Sequence, residues 1–318
     1  MNHQLLITGK KYWVAPLNYF QTQMTIPLYI LLPLIAAFVY TIAAMLFKKV
    51  LDHGANLWYI NFLSNIITCL FMLPVYFLGH RTAGPIPYLP ALVISVFFIA
   101  GQAFSLFALK CGDVSVATPL LGTKVLMVAL FTIILLKIPV PLLWWVASFL
   151  AVVALLLLRG KDDKSKKSFL PTVIFSLLCA LGFALSDIYI QKWAPVYGPD
   201  RLVFIVFIMI AVLSFGFIPL LRKTKLLFEF PVSFWLALSI ICIALQSVLV
   251  AIALSRFGNA TAVNIAFSSR GMWSVLLIWL FGSLIGNNEH MLGRKIFWQR
   301  LAGSACILLA IILVMVKN

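Results

Sequence analysis

Ten long apolar runs follow one another along the chain, at 26–47, 57–79, 88–109, 114–136, 141–158, 170–191, 202–221, 232–255, 260–286 and 296–316. Runs of this length cross the hydrocarbon core of a bilayer, which needs about 17 to 25 residues as a helix and about 9 to 11 as a tilted barrel strand. Lipid offers no water to backbone N–H and C=O groups, so each run must satisfy its own hydrogen bonds. The sequence therefore predicts an all-α membrane protein with ten transmembrane helices. Its composition agrees: 64% of residues are hydrophobic and 10% are charged, against about 25% charged in soluble domains.

The segments outside the runs are short and mostly basic. Residues 1–25 hold Lys10 and Lys11 but no short apolar core with a small-residue cleavage site, so they read as an interfacial leader rather than a signal peptide. Tyr12, Trp13, Tyr19 and Phe20 are side chains that settle at headgroup depth. The formal net charge of +16 is spread in short clusters at helix ends, which suits anionic lipid headgroups better than nucleic acid. Five scattered cysteines and four histidines outside the spans show no metal-ligand spacing, and no glycine-rich phosphate loop is present. Neither cofactor nor metal nor catalysis is expected.

One interior stretch is strongly polar, Arg159 to Ser168, and it divides the runs five and five. It predicts a basic linker at 159–169 between one five-helix repeat at 26–158 and a second at 170–318. Leu32-Pro33 and Leu170-Pro171 are read as opening the two halves, and Gln102 and Gln246 fall in the third helix of each. The closest correspondence joins ALKCGDVSVATPLLGTKV from Ala108 to ALSRFGNATAVNIAFSSRG from Ala253. It sets Ser115 on Thr261, Thr118 on Asn264, Gly122 on Ser268, Thr123 on Ser269 and Lys124 on Arg270. Because five is odd, the second half must enter the membrane from the opposite side, which makes the repeat inverted, with a substrate site expected near the midplane.

These segments resemble the drug/metabolite transporter superfamily. The resemblance implies ten helices in two inverted five-helix halves over residues 26 to 316. The run Thr123 to Val128 is similar to the lysine-bearing fourth helix of its nucleotide-sugar and sugar-phosphate branch. In the bacterial EamA-type pattern a glutamate usually closes the fourth helix; here Lys137 stands in that neighbourhood, and Glu289 follows the ninth span only after a longer loop.

Lys124 and Arg270 each sit deep within a span, where a charge costs roughly 2.5 to 3.5 kcal/mol on lenient scales and commonly marks a pathway or binding site. Asp187 is the sole carboxylate expected inside a span, either as a fixed counter-charge or as a proton site. It can neutralise one cation and leave the other for a bound anion. Arg270 offers a planar fork and Lys124 a point charge, together suited to one dianion, with hydroxyls from Thr123 and Ser269 alongside. Ser115, Thr118 and Gly122, like Thr261, Asn264 and Ser268, follow one helix face and read first as packing, Asn264 being the exception with a polar role. Gln102 and Gln246 are candidate contacts whose default is interhelical hydrogen bonding, and Tyr40 is a candidate whose default is packing.

These readings converge on a carrier for a small organic anion, phosphorylated or carboxylated, working by alternating access and exchange. The expected partners are that metabolite and membrane lipids, in a monomer or homodimer of the bacterial inner membrane. A proton-coupled exporter of amino acids or other amphipathic metabolites, using Asp187, is the alternative within transport. A non-transporting membrane scaffold or lipid-processing protein is the alternative outside it. Orientation stays open, because the linker side carries the larger share of Lys and Arg, which belongs inside, whereas the resembled superfamily keeps its termini in the cytosol.

Overall fold

The computed structural model describes residues 4–7, 10–13, 27–79, 86–111, 120–157, 169–221, 232–281 and 294–316. Most of the leader, the linker, Ser115, Thr118 and Glu289 lie outside the described residues. The helices are α1 (Leu28–Asp52), α2 (Leu57–Leu78), α3 (Tyr88–Cys111), α4 (Lys124–Leu136), α5 (Leu142–Leu157), α6 (Phe169–Tyr197), α7 (Pro199–Ser214), α8 (Val232–Phe257), α9 (Ala260–Phe267), α10 (Arg270–Phe281) and α11 (Arg294–Met315). A 3₁₀ turn at Phe215–Phe217 and a last helical turn at Ile218–Leu221 prolong α7. Within the leader, Gln4–Ile7 pairs antiparallel with Lys10–Trp13 as a two-stranded ribbon.

Among the described residues, six helical stretches are long and apolar enough to cross a membrane: Leu28–Leu51, Leu57–Leu78, Tyr88–Ala108, Leu170–Tyr197, Pro199–Leu220 and Val232–Phe257. Leu120–Leu136, Leu142–Leu157 and Leu301–Met315 are apolar but shorter. The interior is built largely of small residues: Ala36, Ala37, Ala43, Ala91, Ala147, Ala151, Ala184 and Ala253 are wholly buried. Large apolar side chains such as Leu78, Leu89, Leu142 and Leu170 point outward. That is the arrangement expected where lipid, as apolar as leucine, gives no hydrophobic drive and close packing holds helices together.

Two expectations about element ends are corrected. Leu32-Pro33 does not open the first helix: α1 starts at Leu28 after the extended Pro27, and Pro33 lies inside it. The sixth run extends to Tyr197, and the next helix starts at Pro199, directly after Gly198. Gly198 has φ +88°, a conformation glycine takes without a Cβ penalty, and proline at the first helical position loses no needed donor. The turn between α1 and α2 is built alike, with Gly54 at φ +85° and Asn56 capping α2 through Trp58 N–H.

Helices of the two halves pack in reciprocal pairs. α1 lies on α8 and α6 on α3; α2 lies on α8 and α7 on α3; α4 lies on α6 and α9 on α1. α2 also meets α7, and α5 meets α11. Gly101 of α3 and Gly182 of α6 let these two helices approach so closely that a Cβ at Gly182 would press on the Gly101 backbone.

Candidate functional site

The expected fourth and ninth spans are both interrupted just before their cation. In the first half, the helical turn Leu120–Gly122 ends at Thr123, whose N–H and hydroxyl both turn back to the Leu120 carbonyl, at 3.1 and 2.6 Å. α4 then starts at Lys124. In the second, α9 ends at Phe267; Ser268 shares its N–H between the Asn264 and Ile265 carbonyls at 3.0 and 3.1 Å, its hydroxyl donates to the Ile265 carbonyl at 2.6 Å, and Ser269 N–H returns to the Ala266 carbonyl at 3.1 Å. α10 then starts at Arg270. The cause is the same in each half: a hydroxyl that competes for a main-chain carbonyl within its own turn tightens the helix to a three-residue spacing. The ninth span is thus two helices, not the single helix expected.

Beyond the breaks the two cations meet different groups. Lys124 Nζ lies 2.7 Å from Asp187 Oδ2 on α6. Asn264 Nδ2 of α9 donates to the same oxygen at 2.7 Å and also to the Ala260 carbonyl at 2.9 Å. Phe183, one turn before Asp187, places its ring 5.7 Å below the ammonium. A Cβ at Gly101 would push against that ring, so the small residue on α3 is what lets Phe183 sit there. Asp187 and Asn264 are buried, while the Lys124 side chain keeps 22% of its exposure. The ammonium and the amide thus converge on one carboxylate oxygen, Asp187 Oδ2.

Arg270 has no carboxylate partner among the described residues. Its guanidinium instead lies 5.1 Å from the Tyr40 ring of α1 and 5.2 Å from the Phe267 ring of α9, and the two rings meet edge to face at 5.8 Å. Aromatic faces attract a cation without neutralising it. The Arg270 carbonyl accepts the Ser274 hydroxyl at 2.8 Å and lies 3.2 Å from the Thr41 hydroxyl of α1, which it shares with the Ala37 carbonyl at 2.8 Å. Ser269 is fully buried and its hydroxyl has no partner among the described residues, and the Trp273 indole N–H, one turn on, is likewise buried without one among them. With Lys124 and Arg270 positive and Asp187 negative, the region carries one net positive charge.

Other sequence candidates fall into place as packing or internal bonding. Gln102 exchanges hydrogen bonds with Asn65 at 3.0 and 2.9 Å and accepts from Asn61 at 3.2 Å. Gln246 donates to the neighbouring Ser247 hydroxyl at 2.8 Å. Thr261 meets Thr132 of α4 at 3.3 Å, and Gly122 leaves room for Leu155 of α5, which a Cβ would strike. Lys137 caps α4 in the left-handed conformation, φ 57°, and is exposed. Tyr40 is the candidate that gains most, as half of the aromatic seat for Arg270.

Several contributors escaped the sequence reading. Phe183 and Phe267 carry no signal in a chain where apolar residues are the background. Gln191 could have been noticed as a mid-helix amide; its Oε1 accepts the Ala260 N–H at 2.9 Å, one turn beyond Asp187, so α6 holds α9 at two levels. Among the described residues no cluster of His, Cys, Asp and Glu could hold a metal ion.

No curated protein matches the chain. A crystal structure titled only "Crystal structure of protein" superposes with a TM-score of 0.69 at 14% identity, over 91% of this chain and 98% of that one, a likeness of fold. Residues 27–160 match the EamA-like transporter family. That match agrees with the resemblance to the drug/metabolite transporter superfamily, and this part of the integral membrane protein is similar to an EamA-like transporter.

Proposed function

We propose that the protein is a secondary transporter for a small organic anion and that Arg270 receives it. The observation that carries this reading is the unequal treatment of the two cations: Asp187 neutralises Lys124, while Arg270 is seated on two rings with no acid beside it among the described residues. A membrane-embedded guanidinium left in this state is costly, and a carboxylate or phosphoryl group would complete it through two parallel hydrogen bonds. The partnerless Ser269 hydroxyl beside it is a further donor for the same anion. A substrate that also recruits Lys124 must compete with Asp187 for it, so a monoanion matches the single net charge best.

Alternating access is supported by the architecture. The reciprocal helix pairs, the matching Gly54 and Gly198 turns and the matching breaks before Lys124 and Arg270 are what two inverted five-helix repeats in a ten-span carrier would produce. Interrupted helices at the interface of such repeats are a recurring way to build a midplane site. Exchange follows because an empty closed site would bury an uncompensated charge, and the bacterial inner membrane is the setting we infer.

The decisive experiment uses proteoliposomes preloaded with candidate carboxylates and phosphorylated metabolites. Uptake should require an internal counter-anion and should vanish in Arg270→Gln. Rapid uptake into empty vesicles would eliminate obligatory exchange, and unchanged uptake by Arg270→Gln would eliminate this binding role. A second reading, a proton-coupled exporter, draws on the buried position of Asp187 between Lys124 and Asn264. It requires that an imposed pH gradient drive transport and that Asp187→Asn lose that drive.

A further inference from the structure

Outside the cation site, the two ends of the bundle carry different polar contacts at matching positions. At one end α7 begins and α8 finishes. There Arg256 Nε donates to Asp200 Oδ1 at 2.8 Å, and the Asp200 carboxylate is buried against the end of α2, where a Cβ on Gly79 would strike it. Two residues beyond Arg256 the chain turns at Gly258, φ +63°, and Ala260 N–H is taken by Gln191. The α8–α9 turn is thus pinned on both flanks. From Ala260 to Ala266 every residue of α9 is buried.

At the other end α2 begins and α3 finishes, and the positions that correspond to Asp200 and Arg256 are Asn56 and Lys110. Lys110 Nζ lies 5.3 Å over the Trp58 ring, with no carboxylate beside it among the described residues. Asn56 accepts the Trp58 N–H and reaches the Leu220 carbonyl at 3.4 Å. Of the described side chains on α10, which runs toward this end, only Leu277 is buried. At matching positions one end therefore has a charge pair with a buried acid, and the other, among the described residues, a cation over an aromatic ring.

We propose that Asp200 and Arg256 are positioning residues for transport: their ion pair latches the α8–α9 turn and makes the state closed at that end the resting state of the carrier. The proposal rests on the alternating-access reading. Neither residue touches the cation site, and their effect would pass through α9 to Asn264 and the break before Arg270. Releasing the latch should raise the population open at the Asp200 end and lower the population open at the Trp58 end.

The test uses the full chain in lipid nanodiscs, with its five cysteines replaced by alanine and one probe cysteine at a time. Thr261→Cys reports the Asp200 end, where Thr261 is 2% exposed, and Ala103→Cys reports the Trp58 end. Alkylation by a hydrophilic maleimide should quicken about tenfold at Thr261 and slow at Ala103 in Asp200→Asn and in Arg256→Gln, the scale of a modest population shift. The double variant Asp200→Arg with Arg256→Asp should restore both rates toward the original. Trp58→Ala, which weakens the other end, should move the two probes the opposite way. If Trp58→Ala shifts the probes oppositely but the Asp200 and Arg256 variants do not, alternating access stands and the latch falls. If both probes quicken together and the charge swap restores nothing, the pair is only a structural brace and the latch again falls. If no variant moves either probe, both readings fall.

Discussion

Lys124 and Arg270 occupy the same point of two interrupted helices, yet their surroundings differ in kind. Lys124 is joined to a carboxylate that an amide also supports, whereas Arg270 is held between rings that leave its charge intact. Sequence equivalence therefore does not imply electrostatic equivalence. Two matched cations become one ion pair and one guanidinium held by rings, the group we propose as the anion receptor, because among the described residues the acid on α6 reaches only Lys124.

The largest expected effect comes from making the two sides alike. Asp187→Asn keeps an acceptor for Asn264 but strips Lys124 of its counter-charge, and breaking a buried pair on one side costs about 3 to 5 kcal/mol. Since the Lys124 side chain retains some exposure, the loss should fall at the lower end of that range, read as a lowered unfolding midpoint in detergent. A midpoint that does not move would mean that Lys124 needs no partner and that the contrast between the two sides is unimportant.

Next in size is the removal of the receptor. Arg270→Gln should abolish the thermal stabilisation that a bound carboxylate or phosphoryl compound gives the original protein, a loss of about 2 to 3 kcal/mol of binding for a charge-assisted contact. The folded protein itself should persist, as no ion pair of Arg270 is broken among the described residues. An anion that stabilises both proteins equally would move the binding site elsewhere.

A smaller change tests the aromatic seat. Tyr40→Leu should weaken anion binding by about 1 kcal/mol through loss of one cation–π face and of the orientation it gives the guanidinium. The apparent affinity should fall while the maximal transport rate holds. The mildest effect is expected away from both cations: Gln102→Met loses its bonds to Asn61 and Asn65, and membrane hydrogen bonds of this type average about 0.6 kcal/mol. Stability should drop slightly with anion affinity unchanged, which would confine Gln102 to packing the first half.

The helical character of the spans was legible because a bilayer leaves a long apolar chain almost no other way to satisfy its backbone. Lys124, Arg270 and Asp187 were legible for a related reason, since an ionised group in such a segment stands out against its cost. Element ends were less so: the start of α7 at Pro199 depends on Gly198 adopting φ +88°, and the break at Ser268–Ser269 depends on where a hydroxyl points. Phe183, Phe267 and Gln191 were hidden because the sequence lays no apolar or amide side chain beside its distant partner.

By itself, then, the sequence determined that the chain is helical and membrane-embedded and that it carries two cations and one acid within apolar segments. Only the tertiary structure decided which cation the acid neutralises, which rings receive the other, and which end of the bundle is held by charge. The physical reason is range. Hydrophobicity and backbone hydrogen bonding act along a segment and can be read from it, whereas pairing charges over a separation such as Lys124 to Asp187 depends on how α4, α6 and α9 pack.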